Sequence, residues 1–226
     1  MKISITKMTA AVAGLVAMAG VAQATLIQET YSGPNIDIAD GNPVGIANSF
    51  NNVSDPGNAA IEDVSVNLNI SGGYDGDLYG YLVYNPSSSA VTAGSVPEMV
   101  VLLNQIGTTG SNPFGDATAG MNVTLSDSGA AGIHNQTGTA LTSGAGVYKP
   151  DSTSTFDSTF TGSADGTWTL FLADLSAGGG TGDSQLVSWQ LNISVVPEPV
   201  TWALAGFAGV LGLVRFMAWR KQVKSA

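Results

Sequence analysis

The sequence predicts an all-β fold, a sandwich or a barrel, between two short apolar terminal segments. Apolar and polar residues alternate in several runs, as in IEDVSVNLNI, where Val64, Val66, Leu68 and Ile70 share one face of a half-buried strand. Gly and Pro clusters such as SDPGN and SAGGGTGD separate these runs and favour turns. The central part shows no amphipathic helical spacing, and many short strands joined by turns are typical of sandwiches and barrels.

The first segment, residues 1–24, has the features of a secretory signal peptide. Lys2 and Lys7 precede an apolar stretch over residues 10–21, and the small-residue sequence AQA ends at Ala24. A basic start, a short apolar run and a small-x-small site are the three parts of such a signal. We therefore expect cleavage after Ala24 and a mature chain that begins at Thr25.

Further strands follow in order along the domain, beginning with DLYGYLVY and the more continuously apolar EMVVLL. In MNVTLS, GTWTLFLAD and LVSWQLNISV the apolar residues alternate on one face; they are Met121, Val123 and Leu125, then Trp168, Leu170 and Leu172, then Val187, Trp189, Leu191, Ile193 and Val195. Because both tryptophans alternate with aliphatic residues, we predict that they anchor the core and do not stack on sugars. Residues 126–145 have almost no large apolar side chains and are predicted to form an extended surface loop.

The residue types needed for common enzyme chemistry are mostly missing. The chain has no cysteine, which excludes disulfides and thiolate nucleophiles, and His134 is its single histidine. No serine lies in a nucleophile-elbow context, and a zinc site lacks its Cys and His cluster. We therefore predict a protein that is not an enzyme. A hydrolase that uses two carboxylates stays open as an alternative, since the sequence selects no pair.

The charge of the predicted domain excludes one class of partner. Residues 25–196 hold sixteen acidic side chains and a single basic one, Lys149, which gives a formal net charge of −15. Binding to nucleic acid phosphates requires a basic surface. The sequence therefore predicts no nucleic acid partner, and a negative field that attracts cations.

Calcium is the one cofactor that the sequence suggests. Asp75 and Asp77 lie in the Gly-rich turn GGYDGDL, and Asp174 and Asp183 flank a second one, LSAGGGTGD. Calcium prefers several carboxylate and loop carbonyl oxygens. The alternative is that these four aspartates cap turns through hydrogen bonds to the backbone.

Two tyrosines are candidates for ligand binding. Tyr79 and Tyr81 share one face of a predicted strand, opposite Leu78 and Leu82. If that face is exposed, the two rings can stack on carbohydrate. The alternative is that they form a cross-strand aromatic cover on the sheet.

The second terminal segment, residues 197–226, resembles a known sorting signal. Pro197, Glu198 and Pro199 are followed by TWALAGFAGVLGL and then by basic residues. This order resembles the PEP-CTERM signal of Gram-negative bacteria that produce exopolysaccharide. The resemblance implies export, retention in the inner membrane and processing near the triplet by an exosortase.

Membrane physics is consistent with that arrangement. A spanning helix needs about 20 residues, and the apolar run reaches this length if it continues past Arg215 to Trp219. Arg215 can then extend its guanidinium to the interface, while Arg220 and Lys221 place the C-terminus in the cytoplasm. The sequence therefore predicts a transmembrane helix that holds the domain outside the cell.

The domain itself, residues 25–196, resembles the P domain, also called P/Homo B, of proprotein convertases. IDIAD, IEDVSVNLNISGGYDGDLYGYLVYNP, GVYKP, FTGSADGTWTLFLAD and LVSWQLNIS occur in the order of that family. The resemblance implies a jelly-roll β-sandwich. The family domain supports a neighbouring catalytic domain, which this sequence does not contain, so that role does not carry over. Gly72, Gly73 and Tyr74 occupy the stretch where the family often has a histidine.

Together these observations predict an exported protein of the cell surface or extracellular matrix that carries no enzyme activity. In this interpretation the precursor is anchored in the inner membrane and the mature domain associates with exopolysaccharide. The alternative is a calcium-assisted carbohydrate-binding module that acts on exopolysaccharide, with Tyr79 and Tyr81 in its site.

Overall fold

The computed structural model describes residues 23–55, 57, 59–87, 98–144, 146–178 and 182–196, together with the isolated positions 209, 212 and 215. Strands make up most of the described chain, which confirms the all-β prediction. The strands are β1 (Thr25–Tyr31), β2 (Ile36–Ile38), β3 (Asn42–Val53), β4 (Ala60–Ser71), β5 (Leu78–Pro86), β6 (Glu98–Asn104), β7 (Met121–Ser126), β8 (Ala131–Gly132), β9 (Gly146–Lys149), β10 (Gly166–Asp174) and β11 (Ser184–Val196). The short helices are α1 (Thr139–Thr142) and α2 (Phe156–Thr159), with 3₁₀ turns at Asp75–Asp77 and Ile133–Asn135.

The strands form two sheets. The first has the order β1-β11-β4-β7-β9-β8, with β2 also paired to β11, and the second has the order β3-β10-β5-β6. β1 and β2 pair antiparallel with β11, β4 with β7, β10 with β3 and β5, and β5 with β6, whereas β9 lies parallel to β7 and β8. Because non-sequential strands are neighbours in both sheets, each sheet depends on contacts that are distant in the sequence.

One apolar core includes residues of both sheets, as expected for a sandwich. Trp168 is fully buried and stacks on Tyr84, with ring centroids 4.2 Å apart. Trp189 stacks on Phe50 at 4.2 Å, and its Nε1 donates to the Asn48 side chain at 2.7 Å. The prediction that the two tryptophans anchor the core is confirmed.

The predicted buried face of β11 starts at Val187, and the prediction is wrong for that residue. Val187 is only half-buried, whereas Leu186 is fully buried and Trp189 is 1% exposed. The strand changes partner within this stretch, because Leu186 is opposite Ile36 of β2 and Trp189 is opposite Tyr31 of β1. The alternation therefore moves by one position between the two pairings.

The prediction of an extended surface loop over residues 126–145 is also wrong. This stretch contains β8, a 3₁₀ turn and α1. Ile133 and Leu141 are both fully buried in the common core. Two well-separated apolar side chains are enough to hold a mostly polar segment against the core. Counting the large apolar residues of the segment does not predict this packing.

Thr25–Val195 forms one compact unit. Residues 1–22 of the predicted signal peptide and most of the predicted sorting segment lie outside the described residues. In the part of the chain that the structure describes, no helix combines the length and the hydropathy of a membrane span.

Candidate functional site

Acidic side chains gather at one end of the second sheet. Asp174 ends β10, where it is opposite Leu78 at the start of β5 and Asn42 at the start of β3. Residues 75–77 precede β5, and the long connection after β6 returns to the same end, since Tyr79 is opposite Asn104. Antiparallel pairing therefore brings carboxylates from separate loops together.

Asp75 is the most deeply buried of these acids. It begins the 3₁₀ turn, and its backbone N–H donates to the Thr118 carbonyl at 3.0 Å. The residue is 0% exposed, and neither oxygen of its carboxylate has a hydrogen-bond partner. Buried polar groups are almost always paired, so this carboxylate is an exception that requires a physical explanation.

Asp116 belongs to the loop that packs on Asp75. The Gly76 N–H donates to the Asp116 carbonyl at 2.9 Å, which fastens the 3₁₀ turn to this loop. The Asp116 side chain is 8% exposed; it accepts from the Thr118 hydroxyl at 3.1 Å and from the Gly138 N–H at 3.2 Å. Three separate loops therefore meet around the two carboxylates.

Two glycines permit this close approach. A Cβ on Gly76 would lie 2.6 Å from both the Asp116 nitrogen and the Phe114 oxygen. Gly115 has a positive φ of 67°, and a Cβ there would lie 2.8 Å from the Gly76 Cα. Only glycine fits where two backbones touch in this way.

Burial raises the pKa of Asp75 to about 8, and the negative charge of Asp116 adds to the rise. The backbone N–H of Gly120 lowers the pKa in part, but it does not meet the geometry of a hydrogen bond, so both oxygens remain without a partner. At neutral pH the site therefore favours a proton or a cation on this carboxylate.

The predicted calcium set divides into two groups. Asp77 and Asp174 lie together, and burial followed by their mutual repulsion raises the pKa of Asp77. Asp40 adds negative charge to this second group, and Asp183 is exposed at its edge. Within the described residues, no three His, Cys, Asp or Glu side chains are placed to hold a metal ion. The structure therefore does not bring Asp75, Asp77, Asp174 and Asp183 into one site.

Two carboxylates of the second group accept backbone hydrogen bonds in turns, which is the alternative given above for Asp174 but not for Asp40. Asp174 accepts from the Ser176 N–H at 3.2 Å, and Asp40 accepts from the Gly178 N–H at 2.9 Å. Sequence reasoning missed Asp116, although the Gly-Asp pair in TTGSNPFGD is the same kind of signal as the one around Asp75. Nothing in the sequence shows that the two loops meet.

Tyr79 and Tyr81 share one face of β5, as predicted, and it is the outer face of the second sheet, opposite the buried Leu78 and Leu82. Both are half-buried, and their ring centroids are 6.0 Å apart in an edge-to-face arrangement. Tyr81 also stacks on Phe171 of the neighbouring strand at 4.5 Å. We call Tyr79, Tyr81 and Phe171 the aromatic face. It is a cross-strand cluster that still presents ring surface to solvent.

His134 lies in an ordered environment, which the loop prediction did not anticipate. Its Nδ1 is 2.7 Å from a carboxylate oxygen of Asp151, and its Nε2 is 2.9 Å from the Thr108 carbonyl. Both partners are acceptors, so the ring satisfies both only as an imidazolium. Burial opposes that charge, but these hydrogen bonds outweigh it and raise the pKa of His134.

The predicted sorting residues Pro197, Glu198 and Pro199 lie outside the described residues, as do Arg220 and Lys221. Arg215 is described as helical and exposed.

No protein-family model matches the chain, and no curated protein matches it either. Among solved structures, the chain is similar to one in the crystal structure of the Aeromonas sobria serine protease (ASP) and chaperone (ORF2) complex. The identity is 16% and the TM-score is 0.45, over 78% of this chain and 28% of that chain. This likeness assigns neither a function nor a partner to the protein.

Proposed function

We propose that this protein is an exported, non-enzymatic component of the cell surface or extracellular matrix, delivered by its C-terminal segment. The observation that carries the proposal is the order of Pro197–Glu198–Pro199, an apolar run and a basic end. In this proposal an exosortase of a Gram-negative cell processes a precursor that is held in the inner membrane. The basic end stays cytoplasmic and the domain lies outside.

Features of the domain support such a role. Two sheets enclose one core without any disulfide, so the fold does not depend on the redox state of its compartment. A formal charge of −15 over residues 25–196 favours solubility. We further propose that the sandwich is a jelly-roll of the P-domain kind.

Intact mass spectrometry of the protein from its native host tests the proposal. Inner membrane, outer envelope and medium are analysed separately. The expected result is a form in the envelope or medium that begins at Thr25 and ends near Pro197. If every molecule still ends at Ala226 and stays with the inner membrane, the sorting proposal is wrong.

The aromatic face favours a second candidate function, which is calcium-assisted binding of carbohydrate in exopolysaccharide. Stacked rings that are open to solvent, such as Tyr81 on Phe171, can hold the apolar face of a sugar. The face lies on two paired strands, which keeps the rings in register.

A polysaccharide pull-down separates the two functions. Saturable binding by the wild type that is lost in the double variant Tyr79→Ala and Tyr81→Ala favours the carbohydrate module. Phe114→Ala is the matched control, because Phe114 is an aromatic residue that is 83% exposed and lies in the loop between β6 and β7, not on the aromatic face. Equal retention of all three proteins, or of none, argues against the module.

A further inference from the structure

We propose that Asp75 and Asp116 form a calcium site, with backbone carbonyls of the loops around them completing the oxygen shell. The sequence suggested Asp75 and Asp77 as partners in one turn, whereas the fold joins Asp75 to a loop about forty residues away. The inference does not depend on how the protein is exported or on whether it binds carbohydrate.

The Asp75 carboxylate is buried without the partners that a buried charge needs. Its two oxygens are buried and have no hydrogen-bond partner. A buried carboxylate is normally paired, hydrogen-bonded or bound to a metal, because removing the charge from water is costly. A second carboxylate, that of Asp116, lies nearby and increases the cost. The pair therefore requires positive charge.

Residues 25–196 do not supply that charge. Between residues 25 and 196 the only side chains that can carry a positive charge are Lys149 and His134. Lys149 is exposed on β9, and His134 is engaged by Asp151 and Thr108. Within residues 25–196 no basic side chain is free to neutralise the pair, which leaves a bound cation or a proton.

Backbone contacts hold the two carboxylates firmly in place. The Asp75 N–H bonds to Thr118 and the Gly76 N–H bonds to Asp116, while Gly76 and Gly115 bring the two backbones into contact. Hydrogen bonds to Thr118 and Gly138 orient the Asp116 side chain. A site with this degree of order loses little conformational freedom on binding.

The donor chemistry selects calcium among the common divalent ions. The two side chains offer only oxygen, which suits calcium and magnesium and not zinc. Magnesium usually keeps several of its waters, whereas the Asp75 oxygens are closed to solvent. Calcium accepts irregular sets of carboxylates and carbonyls, so it fits a buried site between loops.

The second acidic group is a weaker candidate. Asp174 and Asp40 already accept backbone hydrogen bonds from Ser176 and Gly178. Among the buried carboxylates that the structure describes, Asp75 is the one with both oxygens unpartnered. The two groups are close enough in the fold that the experiment must distinguish them.

The test is thermal unfolding and calorimetric titration of the full chain in neutral detergent, after removal of metal with a chelator. Calcium is added up to about 10 mM, because extracellular sites often have dissociation constants of about 0.1–1 mM. We expect saturable heat and a rise in Tm of about 3–6 °C once calcium exceeds the dissociation constant about tenfold. Magnesium at the same concentration is expected to give less than half of this rise.

Four variants locate the site. Asp75→Asn and Asp116→Asn are each expected to abolish the calcium-dependent rise in Tm. Asp75→Asn should also raise Tm in chelator, because a buried amide needs neither a proton nor a cation to be neutral. Asp174→Asn and Glu62→Gln, the latter an exposed acid elsewhere, are expected to keep the rise. If Asp75→Asn does not fold, Asp116→Asn decides between the two acidic groups.

Two results would overturn the proposal. One is a wild-type protein that shows neither heat nor a change in Tm with calcium at pH 8.5, where Asp75 is largely ionised; the carboxylate is then simply protonated at neutral pH. The other is a calcium effect that is lost in Asp174→Asn and kept in Asp75→Asn and Asp116→Asn. The cation would then belong to the group of Asp77 and Asp174.

Discussion

At the scale of single residues, the interaction of His134 with two acceptors gives the protein a pH-dependent contact. The pKa of His134 is raised in the fold, against the opposing effect of burial, by Asp151 and the Thr108 carbonyl. A raised pKa means that the stabilisation is complete below about pH 6.5, the value for unfolded histidine, and is lost as the pH rises through the folded value.

We therefore predict that His134→Gln destabilises the protein by about 0.5–1 kcal/mol at pH 5.5 and by clearly less at pH 8.5. Denaturant unfolding of wild type and variant at both pH values measures this. A destabilisation that is the same at the two pH values would show that the ring acts only by packing.

A second residue-scale prediction concerns Gly76, where the 3₁₀ turn touches the Phe114–Asp116 backbone. Gly76→Ala is expected to destabilise the protein by about 1–3 kcal/mol, because the added methyl meets backbone atoms at 2.6 Å that cannot move aside. Gly110→Ala is the control, since no heavy atom lies within 4 Å of a Cβ built there. A similar loss in both variants, measured by urea unfolding, would contradict the close contact.

At the scale of elements, the strands were predictable and the connections were not. The alternation of Val64, Val66, Leu68 and Ile70 identifies β4 because one face of a strand is set by local sequence. The ordered structure of residues 126–145 depends instead on Ile133 and Leu141, which pack in a core built from residues that are distant in the sequence. For the same reason the sequence indicated Asp75 but not Asp116, since their contact exists only after β5 and β6 have paired.

The order of this segment can be tested through Leu141 in α1, which is fully buried. Leu141→Ala is expected to cost about 2–5 kcal/mol, the range for deleting a buried leucine side chain. Limited proteolysis should then cut within residues 126–145 faster than in wild type. Val147→Ala, at a position 43% exposed on β9, is the control and should leave the cleavage rate unchanged.

At the scale of the whole molecule, the excess of acids sets how stability responds to pH. Burial and neighbouring acids raise the pKa values of Asp75, Asp77 and Asp174 above the usual range for aspartate. Because the folded state then binds protons that the unfolded state has released, stability falls as the pH rises from about 4 to the folded value, about 8 for Asp75. His134 acts in the same direction.

We predict that the metal-free protein melts at a temperature about 2–6 °C higher at pH 5.5 than at pH 8.5, and that Asp75→Asn reduces this difference. Calcium should act in the opposite sense, because it binds the deprotonated carboxylates and competes with the proton. In 10 mM calcium the difference in Tm should therefore shrink or reverse for the wild type, while Asp75→Asn should show no change with calcium. Melting curves at the two pH values, with chelator and with calcium, give the comparison. A wild-type difference that is identical with chelator and with calcium would mean that no cation shares this carboxylate pair, and that the buried acid is neutralised by its proton alone.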